Sequence, residues 1–349
     1  VAVPTPSTAV PWMDVAPSSR GSSGTRQSDR APSVDSPLPP SHTTGWSSRR
    51  STPASEVHVK HASKSSSREA LFWRRGQEIG SGTYGRVFLA QDRSDGRIFA
   101  VKMARIDKRE EQDRKYCEKL QKELDVCKDL RHRNIVSCLG HQYIGHRLYI
   151  YLEYVPGGSL RRMLDEFGPM EGPLLRKATR GILKGLDYLH NHSPPVVHRD
   201  LKGANILVDL DFCVKLADFG CSKRDVSTLS FATVGSVHWV APEVLQQQGG
   251  HGRKADIWSL GCVIIEMATA ADPWGRDAFD NFMQGVRCVG FSDGIPPIPE
   301  NLSSGVQDIA RRCLRRDPNE RPWCSEILEH PGLAQSSSRS ASQASRRGA

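Results

Sequence analysis

The first residues whose types and spacing could do chemistry are Gly80-Ser81-Gly82-Thr83-Tyr84-Gly85-Arg86-Val87. Glycines spaced G-x-G-x-x-G let a backbone approach a phosphate chain closely and turn amide donors toward it. The same spacing also opens dinucleotide-binding helices, so the residues just C-terminal to it decide between the two. Arg86 to Ala90 (RVFLA) reads as a strand, and Ala100-Val101-Lys102 returns a lysine after the turn signal Ser94-Asp95-Gly96. That order describes a glycine-rich lid over ATP, with a cation for its α- and β-phosphates.

A second group begins at Val197-His198-Arg199-Asp200-Leu201-Lys202-Gly203-Ala204-Asn205. Phosphoryl transfer needs a carboxylate to orient an attacking hydroxyl and oxygen ligands to hold a divalent cation. Asp200 supplies the first. Asn205 and the Asp218 of Asp218-Phe219-Gly220 supply the second, and Ala241-Pro242-Glu243 closes the stretch between.

These groups need a scaffold. Short β-like runs fill residues 73–104, including Ile98–Lys102, and two more follow at Ile135–Leu139 and Leu148–Glu153. Glu110 to Leu130 reads as a charged amphipathic helix, with Leu120, Leu124, Cys127 and Leu130 at a 3–4 spacing. From Leu160 onward helical patterns dominate, at Leu174–His190, Ala255–Ala270, Phe279–Cys288 and Ser304–Cys313. A strand-rich lobe followed by a helix-rich lobe is an α+β arrangement with a cleft between the two.

With this ordered set, the stretch from Phe72 to Leu333 resembles the eukaryotic protein kinases. The resemblance implies a two-lobed fold, with a small β-rich lobe over about 72–153 and a larger helical lobe over about 157–333. It implies ATP as donor and Mg²⁺ as the metal, with Mn²⁺ able to substitute. Asp200, Lys202, Lys102 and Glu123 would be catalytic. Glu123 stands nine residues before His132, where the family places the glutamate that pairs with the lysine. The nucleotide would meet Ile79 and the whole lid from Gly80 through Ser81, Gly82, Thr83, Tyr84, Gly85 and Arg86 to Val87. Ala100, Lys102 and Leu207 would complete its walls. Leu152 resembles the gatekeeper, and Glu153 and Val155 would present backbone groups to adenine. Asn205 and Asp218 would hold the metal. His198, Asp256 and Arg321 resemble structural positions of the family, the last pairing with Glu243.

Lys202 is similar to the serine/threonine class. Pro156-Gly157-Gly158-Ser159-Leu160, Asp218 to Lys223 (DFGCSK) and Gly261 to Thr269 (GCVIIEMAT) resemble the MAP kinase kinase kinase (sterile-11-like) branch. The sterile-20-like branch shares several of these and remains an alternative, as does a pseudokinase scaffold. The branch implies a MAP kinase kinase as protein substrate, and an upstream kinase or scaffold as partner. Arginine-directed relatives carry acids where this chain has Ser159 and Ala204, which fits such a substrate better than an arginine-rich one. Where relatives read Gly-Thr-Pro-Tyr-Trp-Met, this chain has Gly235-Ser236-Val237-His238-Trp239-Val240. Ser236 keeps the hydroxyl. Thr233 is the leading candidate for activating phosphorylation, ahead of Ser236, Thr228 and Ser230, with Arg199 as the cation to receive the phosphate.

Composition bounds the rest. Residues 1–71 are rich in Ser, Thr and Pro, and residues 334–349 in Ser and Arg. Both lack the apolar content to offset ordering entropy and read as disordered tails. The net charge of +9 is spread so that each tail carries +3, leaving +3 for the domain. Basicity held in diffuse tails does not point to nucleic acid. The most apolar stretch, Ile257 to Ala271, is interrupted by Ser259, Gly261 and Glu266 and is shorter than the ~20 residues of a membrane span. Val1 to Val15 lacks the apolar core of a signal peptide. Nine cysteines without a C-x-x-C pair read as reduced thiols of a cytoplasmic or nuclear protein, several of them small core residues.

Overall fold

The computed structural model describes residues 71–82, 85–105, 124, 127–218, 237–247, 252–275 and 278–334. Glu123, Thr83, Tyr84, Phe219, Gly220, Cys221 and the hydroxyls Thr228, Ser230, Thr233 and Ser236 lie outside these residues, as do both expected tails except Leu71 and Ala334.

Five antiparallel strands form the first layer: β1 (Trp73–Gly82), β2 (Gly85–Asp92), β3 (Ile98–Arg105), β4 (Cys138–Ile144) and β5 (Arg147–Leu152), in the order β1-β2-β3-β5-β4. Register decides what the sheet presents on each face, because side chains alternate along a strand. Val87 pairs with Lys102, and Ala100 pairs with Leu152. Since Ala100 and Lys102 are two apart, all four side chains share one face. The intervening residues Phe99, Val101, Tyr149 and Tyr151 face the other way and pack with Trp73 into a separate small core. Trp73 meets Phe99 and Tyr149 edge-on at 6.4 and 6.1 Å, and Phe99 meets Tyr151 at 5.9 Å. Edge-to-face pairs of this kind contribute about 0.5–1.5 kcal/mol each beyond burial. That core occupies one face of the sheet and leaves the Lys102 face for the cleft.

The second layer is helical. It comprises α1 (Leu160–Phe167), α2 (Gly172–His190), α3 (Pro242–Leu245), α4 (Arg253–Thr269), α5 (Phe282–Phe291), α6 (Ser304–Cys313) and α7 (Cys324–Leu328). A small hairpin of β6 (Ile206–Val208) and β7 (Val214–Leu216) lies between α2 and α3 in sequence. Helix α2 starts with Pro173 in its first turn and buries Leu175, Ile182, Leu186 and Leu189 along one stripe. Helix α4 is buried on every side from Ala255 to Ala268, so its three polar members, Asp256, Ser259 and Glu266, are enclosed within the lobe. Among the described residues no helix is long and apolar enough to cross a membrane.

Two sequence expectations shift. The helix expected at Phe279–Cys288 begins at Phe282 and runs to Phe291. Asn281 sets the start, because its side-chain oxygen accepts the Gln284 N–H at 3.0 Å, the bond an N-cap residue makes. The strand expected at Ile135–Leu139 begins only at Cys138. Val136 N–H donates instead to the Leu216 carbonyl (2.9 Å) and Leu216 N–H to Asn134 (2.9 Å), so this segment ties to the β7 strand of the helical lobe. Of the helix expected at Glu110–Leu130, residues 124 and 127–130 are described; 124 and 127–129 are helical, and Leu130 lies just past the helix. Cys127 and Cys138 are core residues, as expected. Burial holds the Cys262 and Cys324 thiols well above their ordinary value and lifts Cys313 to about 12, so these three are inert packing groups.

Candidate active site

A cleft of about 660 Å³ separates the sheet from the helical lobe, within the 300–1,000 Å³ range of small-ligand sites. Val87, Ala100 and Lys102 line it from the sheet, with Ile79, Gly80 and Ser81 at the end of β1. Leu152, Glu153 and Val155 line the connection between lobes, and Leu207 the opposite wall. Gly85 must be glycine here: its φ is 137°, and a Cβ would meet the Met103 carbonyl oxygen at 2.2 Å. Gly82 pairs with it across the strands. Arg86 turns away, its Nε bonding Glu78 at 2.8 Å on the exposed side. Glu153 N–H is committed to the Ser137 carbonyl (2.9 Å), which leaves its carbonyl oxygen as the backbone group available to a purine.

Polar groups converge on the floor. Lys102, only 8% exposed, places Nζ 2.7 Å from Asp218 Oδ1. Asp218 itself has φ 57°. The Asn205 amide nitrogen donates to the Asp200 carbonyl at 2.8 Å and to Asp200 Oδ2 at 2.9 Å. With both amide hydrogens used, its carbonyl oxygen is the ligating atom. Lys202 Nζ lies 3.2 Å from Asp200 Oδ2. The structure thus brings together Lys102, Asp200, Lys202, Asn205 and Asp218.

An Asn oxygen and one or two carboxylates are hard donors, the set that Mg²⁺ takes alongside water and phosphate oxygens. Among the described residues no group of three or more His, Cys, Asp and Glu side chains could hold a metal alone. The donors present therefore fit a cation shared with a phosphate chain.

Below the floor, helix α4 fixes the loop. Asp256 is wholly buried, and its carboxylate accepts the His198 N–H (2.8 Å) and the Arg199 N–H (3.0 Å), while His190 Nε2 lies 2.8 Å away. These bonds hold Arg199 at φ 69°, which turns the chain so that Asp200 faces the cleft. Further along the helix, Glu266 Oε2 accepts the Gly203 N–H and the Trp239 indole N–H, both at 2.9 Å. A Cβ on Gly203 would meet the Glu266 carboxylate at 2.4 Å, so this contact also requires glycine.

The sequence reading missed the roles of Glu266 and His190. A lone acid within an otherwise apolar helical run was the available signal for Glu266. Burial raises its carboxyl above the ordinary glutamate value, opposed by the Gly203 and Trp239 donors and by Arg161. The folded state then keeps a proton at pH values where the unfolded chain has lost it. Stability contributed by this group therefore falls as pH rises from the ordinary glutamate value through the raised one. In Glu266→Gln that component disappears, so urea unfolding across a pH series should show a shallower decline than in the parent. Equal slopes would mean that the carboxyl is not perturbed.

The comparisons with known proteins agree with this geometry. The protein kinase domain family matches residues 73–333. The chain is 41% identical over 278 residues to mitogen-activated protein kinase kinase kinase 2 of Arabidopsis thaliana, covering 78% of this chain and 42% of that relative. It is 42% identical over 263 residues to mitogen-activated protein kinase kinase kinase A of Dictyostelium discoideum, covering 74% and 27%. It is 39% identical over 278 residues to mitogen-activated protein kinase kinase kinase 19 of Mus musculus, covering 77% and 21%. The chain thus spans less than half the length of these relatives. With the family matched over the whole two-lobed core and the cleft, the chain belongs to the protein kinase family.

Proposed function

We propose that this chain is an ATP-dependent serine/threonine protein kinase whose substrate is a MAP kinase kinase. The observation that carries the reading is the meeting of Lys102, Asp200, Lys202, Asn205 and Asp218 on one cleft floor, beneath the sheet face of Val87, Ala100 and Leu152. The substrate part is supported by the names of the relatives, each a mitogen-activated protein kinase kinase kinase.

In this reading adenine lies between the sheet face and Leu207, with the Glu153 carbonyl and the Val155 backbone at its edge. Lys102 neutralises the α- and β-phosphates. Asp200 accepts the hydrogen of a serine or threonine hydroxyl and aims its oxygen at the γ-phosphorus. An O–P bond forms there, the bond to the β-phosphate breaks, and ADP departs. Lys202, beside Asp200, offsets charge on the transferred phosphoryl group. Asn205 and Asp218 would hold Mg²⁺, which when bound offsets charge on the β- and γ-phosphates.

The test offers the purified chain an inactive MAP kinase kinase and, separately, a generic basic peptide, each with ATP and Mg²⁺. Phosphoserine or phosphothreonine on the MAP kinase kinase, formed faster than on the peptide, is the expected result. Transfer to the peptide alone would overturn the substrate assignment. No transfer to either, with nucleotide still bound, would make the domain a scaffold and not an enzyme.

A further inference from the structure

Two adjacent arginines open helix α1, and the fold uses them differently. Arg161 is tied inward: Nε bonds Asp165 at 3.0 Å, Nη2 donates to the Ala270 carbonyl at 2.8 Å, and Nη1 lies 3.5 Å from Glu266. Arg162 is exposed and lines the cleft that holds Asp200 and Lys202. Its guanidinium makes no ion pair or hydrogen bond among the described residues, and its backbone N–H donates to Ser159 Oγ at 3.2 Å.

The balance of charge in the cleft isolates this group. Among the described residues four acidic residues border it, and each carboxylate has a cation beside it. Glu78 pairs with Arg86, Glu153 with Lys215 at 2.9 Å, Asp200 with Lys202 at 3.2 Å, and Asp218 with Lys102 at 2.7 Å. Among the described residues Arg162 is the cleft cation left over. Its neighbours on the same rim, Ser159 and Ala204, are neutral. Nor is it loosely hung: Ser159 bridges to Leu207, and Val208 N–H donates to the Gly158 carbonyl at 2.9 Å. The residues that lead into α1, up to its N-cap Ser159, are thereby stitched to β6, the strand that leaves Asn205. The N-terminal end of a helix adds a further positive field.

We propose that Arg162 recognises an acidic side chain of the protein substrate, close in sequence to the residue that receives the phosphate. This rests on the kinase reading and names the class of substrate that the cleft rim accepts. A guanidinium meets a carboxylate bidentately, so it reads charge and geometry together. On a rim open to water the gain is modest, and a preference of about fivefold is expected.

The test uses the full chain and peptides with one serine, in which each flanking position is scanned as Asp, Ala or Lys. At one or more positions the parent should prefer Asp over Ala by about fivefold, through KM for peptide. Arg162→Ala should abolish that preference, and Arg162→Glu should transfer it to Lys at the same position. Equal rates on all peptides by the parent would overturn this inference and leave the kinase reading standing. So would an Arg162→Ala effect confined to KM for ATP, since the arginine would then serve the nucleotide. No transfer to any peptide or to a MAP kinase kinase would remove the kinase reading and this inference together.

Discussion

Asp200→Asn should lower kcat by about 10²- to 10⁴-fold while leaving KM for ATP close to that of the parent. The substitution keeps the size of the side chain and removes its ability to accept the substrate's proton. Asp200 is held by the Asn205 amide (2.9 Å) and sits 3.2 Å from Lys202, so its carboxylate has one orientation within the cleft. The nucleotide contacts lie elsewhere, on Lys102, the sheet face and the connection between lobes, and these do not change. Steady-state phosphotransfer beside a nucleotide-binding titration separates the two effects. A variant with the parent's kcat would show that another group orients the hydroxyl. Equal losses in kcat and ATP affinity would instead show that the floor had collapsed.

The legible part of this site was the part written in consecutive residues. Gly80 to Val87, Asp200 to Asn205 and Asp218 each carry their spacing locally, and strand register then brings Val87, Ala100, Lys102 and Leu152 to one face. What stayed hidden depends on partners far away in sequence. Glu266 meets Gly203 across 63 residues, and His190 meets Asp256 across 66. Nothing local distinguishes Arg161 from Arg162. One points to Glu266 and Ala270 beneath the helix, and the next, about 100° around it, points to the cleft. Helix ends shifted for a related reason. Asn281 looks like any polar residue until its side chain is seen to cap Gln284. The expected pairing of Lys102 with Glu123 falls outside the described residues; among those described, Asp218 is the lysine's partner.

Glu243→Ala should destabilise the fold by about 3–5 kcal/mol, the largest stability effect expected of a single charged residue here. Arg321 is 1% exposed and donates to Glu243 through both terminal nitrogens, at 2.7 and 2.8 Å. Its remaining hydrogens go to the carbonyls of Arg315 (2.7 Å), Lys254 (2.8 Å) and Arg316 (3.1 Å), and the guanidinium lies 5.2 Å from the Trp258 ring. Every donor is therefore matched in the parent. Removing the carboxylate strands a full positive charge in the interior, where water cannot replace it, and that desolvation is what the loss measures. The cost falls on function too, because Glu243 follows Trp239 by four residues and anchors the same segment that Trp239 ties to Glu266. Urea unfolding should show a lower midpoint, and the melting temperature should fall by about 2–4 °C per kcal/mol for a domain of this size. Replacing both partners together, Glu243→Leu with Arg321→Met, should recover much of the loss, since no buried charge then remains. A Glu243→Ala loss below about 1 kcal/mol would mean that the pair is solvated, as surface pairs are, and that the guanidinium finds water when its partner is gone.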